Sequence, residues 1–203
     1  MTRQEKLQPT AAQLVIACKR AYTRGLQTGS GGNVSARVPG EDLMLVKASG
    51  SSFIDCTEDG FVITDFDGNL VEGTGKPTRE ALLHGLIYRL CPDVNAVVHT
   101  HSVYSIAWAS TGKALPRTTW HSQLKMNADI PTLDVPAPVV KPEYFYLVEE
   151  AYQKAPGLAG FILKDHGLVA TGKDPIAAEH AAELIEETAQ VAFLKGIAAK
   201  VGL

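Results

Sequence analysis

Two histidines, His99 and His101, follow directly after a short run of apolar residues at 94–98. The β-branched residues of this run favour a β-strand. Because side chains alternate across a strand, both imidazoles are expected on one face, with Val97 below them. Neutral imidazole suits zinc and similar transition metals, so the pair can form half of a metal site. An isolated pair of this kind is more often two solvent-facing polar residues at a strand end.

A third imidazole and one carboxylate occupy comparable positions in the chain. His166 follows a predicted strand at 160–164, and Glu80 lies in the first turn of a predicted helix that Thr78 caps. Three imidazoles with an open fourth position are the layout of a catalytic metal site. The alternative for Glu80 is ordinary helix capping, with a pairing to His84 four residues on. We expect His84 to be buried and hydrogen-bonded rather than a ligand.

Two loops have the composition of anion-binding turns. The first, at 28–35, holds three glycines, three hydroxyl residues and Asn33, so its backbone N–H groups can turn toward an anion. It matches neither a Walker loop nor a dinucleotide fingerprint, and by itself it indicates a helix-to-strand turn. The second loop, at 49–52, is short and rich in serine.

Composition limits the function classes. A length of 203 residues suits one domain, over residues 1–203, with a sizeable core. With 45% hydrophobic and 20% charged residues, the composition is that of an ordinary soluble globular protein. A net charge of −3 without a basic run argues against nucleic acid, and no apolar stretch reaches membrane-spanning length. The scattered Cys18, Cys56 and Cys91 indicate reduced thiols in a cytoplasmic protein.

The elements that must position these groups begin with a helix at 10–25, capped by Thr10. Strands at 33–38 and 43–48 follow, then a hairpin of 61–66 and 69–72 about Asp67-Gly68, so the first half is antiparallel β rather than a βαβ unit. The remaining predicted elements are a helix at 78–90, the strand at 94–98, a helix at 103–110, short strands near 117–120 and 132–135, a helix at 143–152, strands at 160–164 and 168–172, and a helix at 174–199. The last helix has a face of small residues, which predicts close helix packing or a subunit contact.

Four segments resemble, in order, the motifs of the class II aldolase/adducin-like family. They are GGNVS at 31–35, PTRE at 77–80, AVVHTHS at 96–102 and DHGL at 165–168. The resemblance extends from about residue 11 to residue 199. This family includes L-fuculose-1-phosphate-type aldolases, ribulose-5-phosphate epimerases, methylthioribulose-1-phosphate dehydratases and decarboxylases of phosphorylated 3-oxo sugar acids.

The resemblance implies an α/β fold with a central, mostly antiparallel sheet flanked by helices, in an enzyme that is commonly a cyclic tetramer. By position, His99, His101 and His166 would bind zinc or another divalent transition metal, and Glu80 would be the acid/base that can also contact the metal. The residues implied in binding a substrate phosphate are Gly32, Asn33, Ser49, Gly50, Thr78 and Arg79. Such a metal polarises a carbonyl and stabilises an enediolate, which makes carbon–carbon cleavage reversible.

Several positions depart from the aldolase pattern and bear on the reaction. Arg79 stands where the aldolases have a hydroxyl, which resembles the decarboxylase branch, as does the acidic segment at 186–189. The aldolase tyrosine after the metal strand is replaced at about Trp120-His121, and Gln123 stands where the dehydratases have a glutamate.

We expect a zinc-dependent lyase that cleaves a small phosphorylated ketose through retro-aldol chemistry, assembled as a homotetramer. The alternatives are a 3-oxo-tetronate 4-phosphate decarboxylase, then a pentulose-phosphate epimerase or a dehydratase. A non-catalytic adducin-like binding module is disfavoured, because all three histidines and Glu80 are present.

Overall fold

An eight-stranded sheet forms the centre of the computed structural model, which describes residues 3–202 apart from the side chains of residues 4 and 5. The strands are β1 (Asn33–Arg37), β2 (Leu43–Lys47), β3 (Phe61–Asp65), β4 (Leu70–Glu72), β5 (Ala96–Thr100), β6 (Thr132–Leu133), β7 (Gly160–Leu163) and β8 (Gly167–Gly172). The helices are α1 (Arg3–Thr23), α2 (Ala81–Leu90), α3 (Val103–Ala109), α4 (Trp120–Lys125), α5 (Phe145–Lys154) and α6 (Pro175–Lys200), with single 3₁₀ turns at Glu58–Gly60 and Pro142–Tyr144. Within the described residues, no helix combines the length and the apolar character needed to cross a bilayer.

The strand order is β4-β3-β2-β1-β5-β8-β7-β6. Neighbouring strands are antiparallel except β6 and β7, which are parallel, so the expected mostly antiparallel α/β sheet is confirmed. The register pairs Asn33 with His99 and Thr100 with Leu168. Because these strands alternate in direction, the start of β1, the end of β5 and the start of β8 meet at one edge of the sheet.

The long last helix covers the central strands. Helix α6 packs across β5 and β8, with α1 and α3 beside it. A Cβ atom at Gly172 would collide with the backbone of Ala178, so only glycine permits this close approach. Ala182, Ile185 and Ala189 are fully buried, so this part of the small-residue face serves packing within the chain rather than a subunit contact.

Two predicted helix starts are wrong. Helix α1 begins at Arg3, and Thr10 lies inside it, because Leu7 and Ala11 extend its buried face upstream. Helix α2 begins at Ala81 rather than Thr78. The segment before it is held extended by a bridge between Ala48 and Pro77, so the helix cannot start earlier.

The strand predicted near 117–120 is also wrong. Helix α4 begins at Trp120, and Thr119 with Ser122 forms a reciprocal capping box at its start. The Thr119 side chain accepts a hydrogen bond from the Ser122 backbone N–H at 3.0 Å. β-Branched residues suggested a strand, but local side-chain capping determines the backbone here.

We predict that Gly85→Ala lowers the free energy of unfolding by about 1–3 kcal/mol, because overpacking forces the backbone to shift. Gly85 lies in α2 against the backbone of Phe66, and an added Cβ would collide with the Phe66 carbonyl oxygen. Urea denaturation followed by circular dichroism measures the change.

The matched control is Gly196→Ala in α6, where an added Cβ meets nothing within 4 Å. This variant should be stabilised by up to about 1 kcal/mol through helix propensity. Wild-type stability in Gly85→Ala would contradict the close packing of α2 on the β3–β4 hairpin.

Candidate functional site

Three histidines and one glutamate converge where the central strands end. The ligand-capable nitrogens of His99, His101 and His166 all lie within 4.8 Å of one another. The Nε2 atoms of His99 and His101 are 3.2 Å apart. Glu80 places Oε2 at 3.2 Å from His99 Nε2 and Oε1 at 4.0 Å from His166 Nε2. The structure therefore brings together the four residues that the sequence singled out.

Strand ends and a tight turn position the imidazoles. Strand β5 runs to Thr100, two residues beyond the predicted end, so His99 lies within the strand and His101 directly follows it. His166 lies in the turn between β7 and β8, after Asp165, whose φ of 56° is left-handed. A Cβ atom at the next residue, Gly167, would collide with the Thr100 carbonyl and crowd the rings of His99 and His101. Glycine is required at 167 for the turn to approach β5.

Burial favours the neutral form of all three histidines. Nδ1 of His99 donates to the carbonyl oxygen of Leu168 at 2.9 Å, so Nε2 carries the lone pair that faces the site. Burial lowers the pKa of His99 to about 4 and, with the neighbouring histidines, that of His166 to about 4. Burial also lowers the pKa of His101. Neutral imidazole is the form that ligates a metal.

The contact between His99 and Glu80 tests whether a metal fits. His99 Nε2, whose lone pair faces the site, lies 3.2 Å from Glu80 Oε2, and burial of His99 disfavours its protonation. Oε2 also accepts from Asn33 Nδ2 at 3.0 Å, whereas buried Oε1 has no hydrogen-bond partner among the described residues. A cation placed between these two acceptor atoms would satisfy both of them. Imidazoles and a carboxylate are the donor set that zinc prefers.

The site opens into a cavity of about 450 Å³. His101, His166 and Glu80 lie in its wall, while fully buried His99 lies behind it. Every residue predicted to bind phosphate also lines the cavity: Gly32, Asn33, Ser49, Gly50, Thr78 and Arg79. The cavity therefore connects the histidine cluster with both predicted anion loops.

The second loop is held against the segment that precedes α2. The Ser49 hydroxyl donates to the Pro77 carbonyl at 3.0 Å, and the Ser49 N–H donates to the Lys76 carbonyl at 2.8 Å. Gly50 has a φ of 99°, which favours glycine. Arg79 is exposed and lines the cavity. The Ser49 amide is thus committed to the protein, while the Arg79 guanidinium is accessible to an anion.

A buried lysine in the cavity wall was missed from the sequence. Lys47 ends β2 and is 2% exposed. Its Nζ donates to the carbonyls of Ala48, at 3.2 Å, and Ser51, and lies 5.9 Å from the Phe53 ring centroid. Burial lowers its pKa. A lysine ending an apolar strand beside a serine-rich loop was the signal that could have identified it.

The prediction that His84 is buried is confirmed, whereas His121 lies outside the cavity. His84 is buried, as predicted, and its Nδ1 is 2.7 Å from the hydroxyl of Ser35, which also contacts Tyr88. Burial lowers the pKa of His84 to about 3. His121, the candidate replacement for a catalytic tyrosine, is absent from the cavity lining and lies 3.5 Å from Glu187 at the surface.

The other candidates near α4 and in the acidic segment also lie outside the cavity. Trp120 is 82% exposed, and Gln123 donates to the Arg117 carbonyl. Glu186 accepts hydrogen bonds from the N–H groups of Tyr104 and Ser105, both at 2.8 Å, so it caps α3. Glu186, one residue of the segment that suggested a decarboxylase, therefore has a structural role.

Comparison with known proteins places this architecture among characterised families. The family model described as "Class II Aldolase and Adducin N-terminal domain" matches residues 12–193. The chain is 34% identical over 178 residues to the L-ribulose-5-phosphate 4-epimerase UlaF of Salmonella typhi, covering 84% of this chain and 78% of that protein. It is 34% identical over 182 residues to the L-fuculose phosphate aldolase of Methanococcus maripaludis, covering 90% and 95%. A solved L-fuculose 1-phosphate aldolase superposes with a TM-score of 0.83 at 25% identity, covering 93% and 86%.

Proposed function

The chain belongs to the class II aldolase and adducin family, and on that premise we propose that it is a metal-dependent lyase. Its substrate would be a small phosphorylated ketose, cleaved reversibly at a carbon–carbon bond. The observation that carries the proposal is the convergence of His99, His101, His166 and Glu80 at a cavity lined by anion loops. The protein would act in the cytoplasm, where its three free cysteines remain reduced.

His99, His101 and His166 would hold the metal, and Glu80 would contact it or act beside it. A divalent ion, for which zinc suits the donor set, would act as a Lewis acid toward the substrate carbonyl. Within the chain, the Leu168 carbonyl fixes the His99 tautomer. Such outer contacts orient metal ligands and set their basicity.

Glu80 would transfer the proton. In retro-aldol cleavage Glu80 would accept the hydroxyl proton, and the carbon–carbon bond would break to release an aldehyde. The electron pair would remain on the other fragment until Glu80 returned the proton to its carbon. Glu80 is the one carboxylate among the described residues that line the cavity. Asn33 holds Oε2, which leaves Oε1 to exchange a proton with the substrate carbon.

The loops would bind the phosphate of the substrate. Backbone at Gly32 and Gly50, the Thr78 hydroxyl and the Arg79 guanidinium line the same cavity, and buried Lys47 adds a second cation. Arginine presents a planar fork of donors that matches phosphate or carboxylate. A cavity of about 450 Å³ suits a small sugar phosphate.

Two other reactions remain candidates, each on a specific observation. The epimerase is supported by the 34% identical Salmonella relative, because bond cleavage followed by re-addition to the other aldehyde face inverts a carbon with the same residues. The decarboxylase is supported by Arg79, which can bind a substrate carboxylate. The other feature that resembles the decarboxylase branch, the acidic segment at 186–189, lies outside the cavity, and its Glu186 caps α3.

We predict about one zinc-like ion per chain in protein purified without added metal. His101→Ala should lose most of this metal because a neutral donor is removed, while its circular dichroism spectrum stays unchanged. Elemental analysis by mass spectrometry measures the content. The matched control is His180→Ala, which changes an exposed histidine on α6 and should retain the metal. Full metal retention in His101→Ala would refute the assignment.

A substrate panel distinguishes the reactions. The zinc-loaded protein is incubated with dihydroxyacetone phosphate plus small aldehydes, with 3-oxo-tetronate 4-phosphate, and with L-ribulose 5-phosphate. We expect condensation in the first mixture, and Arg79→Ser should raise KM about tenfold or more because a charged hydrogen bond is lost. Product analysis by mass spectrometry and NMR measures all three reactions.

The control for the arginine is Arg24→Ser, at an exposed position beyond α1, where KM should stay at the wild-type value. Release of carbon dioxide without condensation would identify a decarboxylase. Inversion of a carbon of L-ribulose 5-phosphate without condensation would identify an epimerase. An unchanged KM in Arg79→Ser would refute the anion-binding role.

The protein is further proposed to form a homotetramer. Helix α4, the C-terminal half of α6 and the residue after it expose large apolar side chains that a monomer would leave in water: Trp120, Leu124, Phe193, Leu194, Ile197 and Val201. Light scattering at micromolar concentration should give four times the chain mass of 21.7 kDa. Trp120→Asp with Leu124→Asp should lower that mass, whereas Ile16→Asp, at an exposed position on α1, should not. A 21.7 kDa wild-type monomer would contradict the proposal.

A further inference from the structure

Gln27 lies between the first anion loop and the candidate metal ligand His101. Its side chain is buried, with the residue 2% exposed. Oε1 accepts a hydrogen bond from the His101 backbone N–H at 2.9 Å, and Nε2 donates to the Thr28 carbonyl at 2.6 Å. One amide group therefore joins the first residue of the loop to the histidine.

The position of His101 makes this contact important. Strand β5 ends at Thr100, and the ladder with β8 ends at the pair of Thr100 with Leu168. His101 lies beyond that pair, so Gln27 supplies the acceptor for its N–H. The adjacent Ser102 hydroxyl donates to the Leu26 carbonyl at 3.0 Å. Residues 26–27 thus supply the hydrogen-bond acceptors that the sheet no longer provides beyond Thr100.

The glycines of the loop lie directly on the same amide. A Cβ atom at Gly31 would be 2.8 Å from both Gln27 Nε2 and His101 Nδ1. A Cβ atom at Gly32 would be 2.7 Å from Gln27 Oε1 and 2.9 Å from the His99 carbonyl oxygen. Loop, amide and imidazole are packed so closely that a movement of Gly31 or Gly32 toward Gln27 would displace Gln27 or His101.

We propose that Gln27 is a positioning residue that couples anion binding at loop 28–32 to metal binding at His101. An anion that orders the loop would fix Thr28, and through Gln27 it would fix the His101 backbone in the ligating position. Such coupling is reciprocal, so metal and anion should each raise the affinity for the other. The inference rests on the metal site proposed above and adds a residue that does not itself ligate the metal.

Two substitutions distinguish the hydrogen bond between Gln27 and His101 from the one between Gln27 and Thr28. Gln27→Met has a similar length and loses both hydrogen bonds. Gln27→Glu keeps an acceptor for the His101 N–H but places an oxygen against the Thr28 carbonyl, where no N–H remains to donate. We therefore expect Gln27→Met to weaken metal binding itself. Gln27→Glu should retain metal binding and lose the coupling to the loop.

The experiment measures the zinc dissociation constant of the metal-stripped protein by competition with a chromophoric chelator, with and without methyl phosphate. In the wild type, methyl phosphate should tighten zinc binding about fivefold or more, the usual size of such couplings. In Gln27→Met and Gln27→Glu the ratio should fall below about twofold. The control Gln13→Met, at an exposed position on α1, should keep the wild-type ratio.

A general loss of stability would weaken zinc binding equally with and without methyl phosphate, so the ratio reports coupling alone. A wild-type ratio in either folded Gln27 variant, or no effect of methyl phosphate on the wild type, would overturn the role of Gln27. Failure of the wild type to bind zinc at all would overturn the proposed metal site itself. Because glutamate has the shape of glutamine, Gln27→Glu carries the test if Gln27→Met does not fold.

Discussion

Two lone-pair acceptors, His99 Nε2 and Glu80 Oε2, face each other at 3.2 Å in a buried site, and the rest of the site depends on this contact. Desolvation favours the neutral form of His99 by lowering its pKa to about 4. Strand register, the turn at Gly167 and the Asn33 hydrogen bond to Glu80 all act to bring the donors together. A fold that concentrates electron pairs in this way is suited to a cation.

The register explains why the loops and the ligands share one cavity. Asn33 pairs with His99 across β1 and β5, so the loop that precedes β1 necessarily lies beside the end of β5. The bridge between Ala48 and Pro77 brings the second loop and the start of α2 to the same edge, with Glu80 next in the chain. A substrate phosphate in these loops would therefore lie a fixed distance from the histidines, which favours orientation of the reacting carbons.

Much of this arrangement could be predicted from local patterns in the sequence. Strand alternation predicted that His99 and His101 share a face, and the Asp67-Gly68 turn predicted the hairpin, whose Asp65 carboxylate accepts from the N–H groups of residues 67 and 69. The start of α1 was not predictable, because it depends on where Leu7 and Ala11 pack. Gln27 was missed because its role arises from His101, which is distant in sequence.

Crystals of the protein as purified, measured on both sides of the zinc absorption edge, give the most direct test of the proposed metal site. We predict one anomalous peak per chain, about 2.0–2.1 Å from a nitrogen of each of His99, His101 and His166. A peak elsewhere on the chain, or no peak between the three imidazoles in protein that binds zinc in solution, would contradict it.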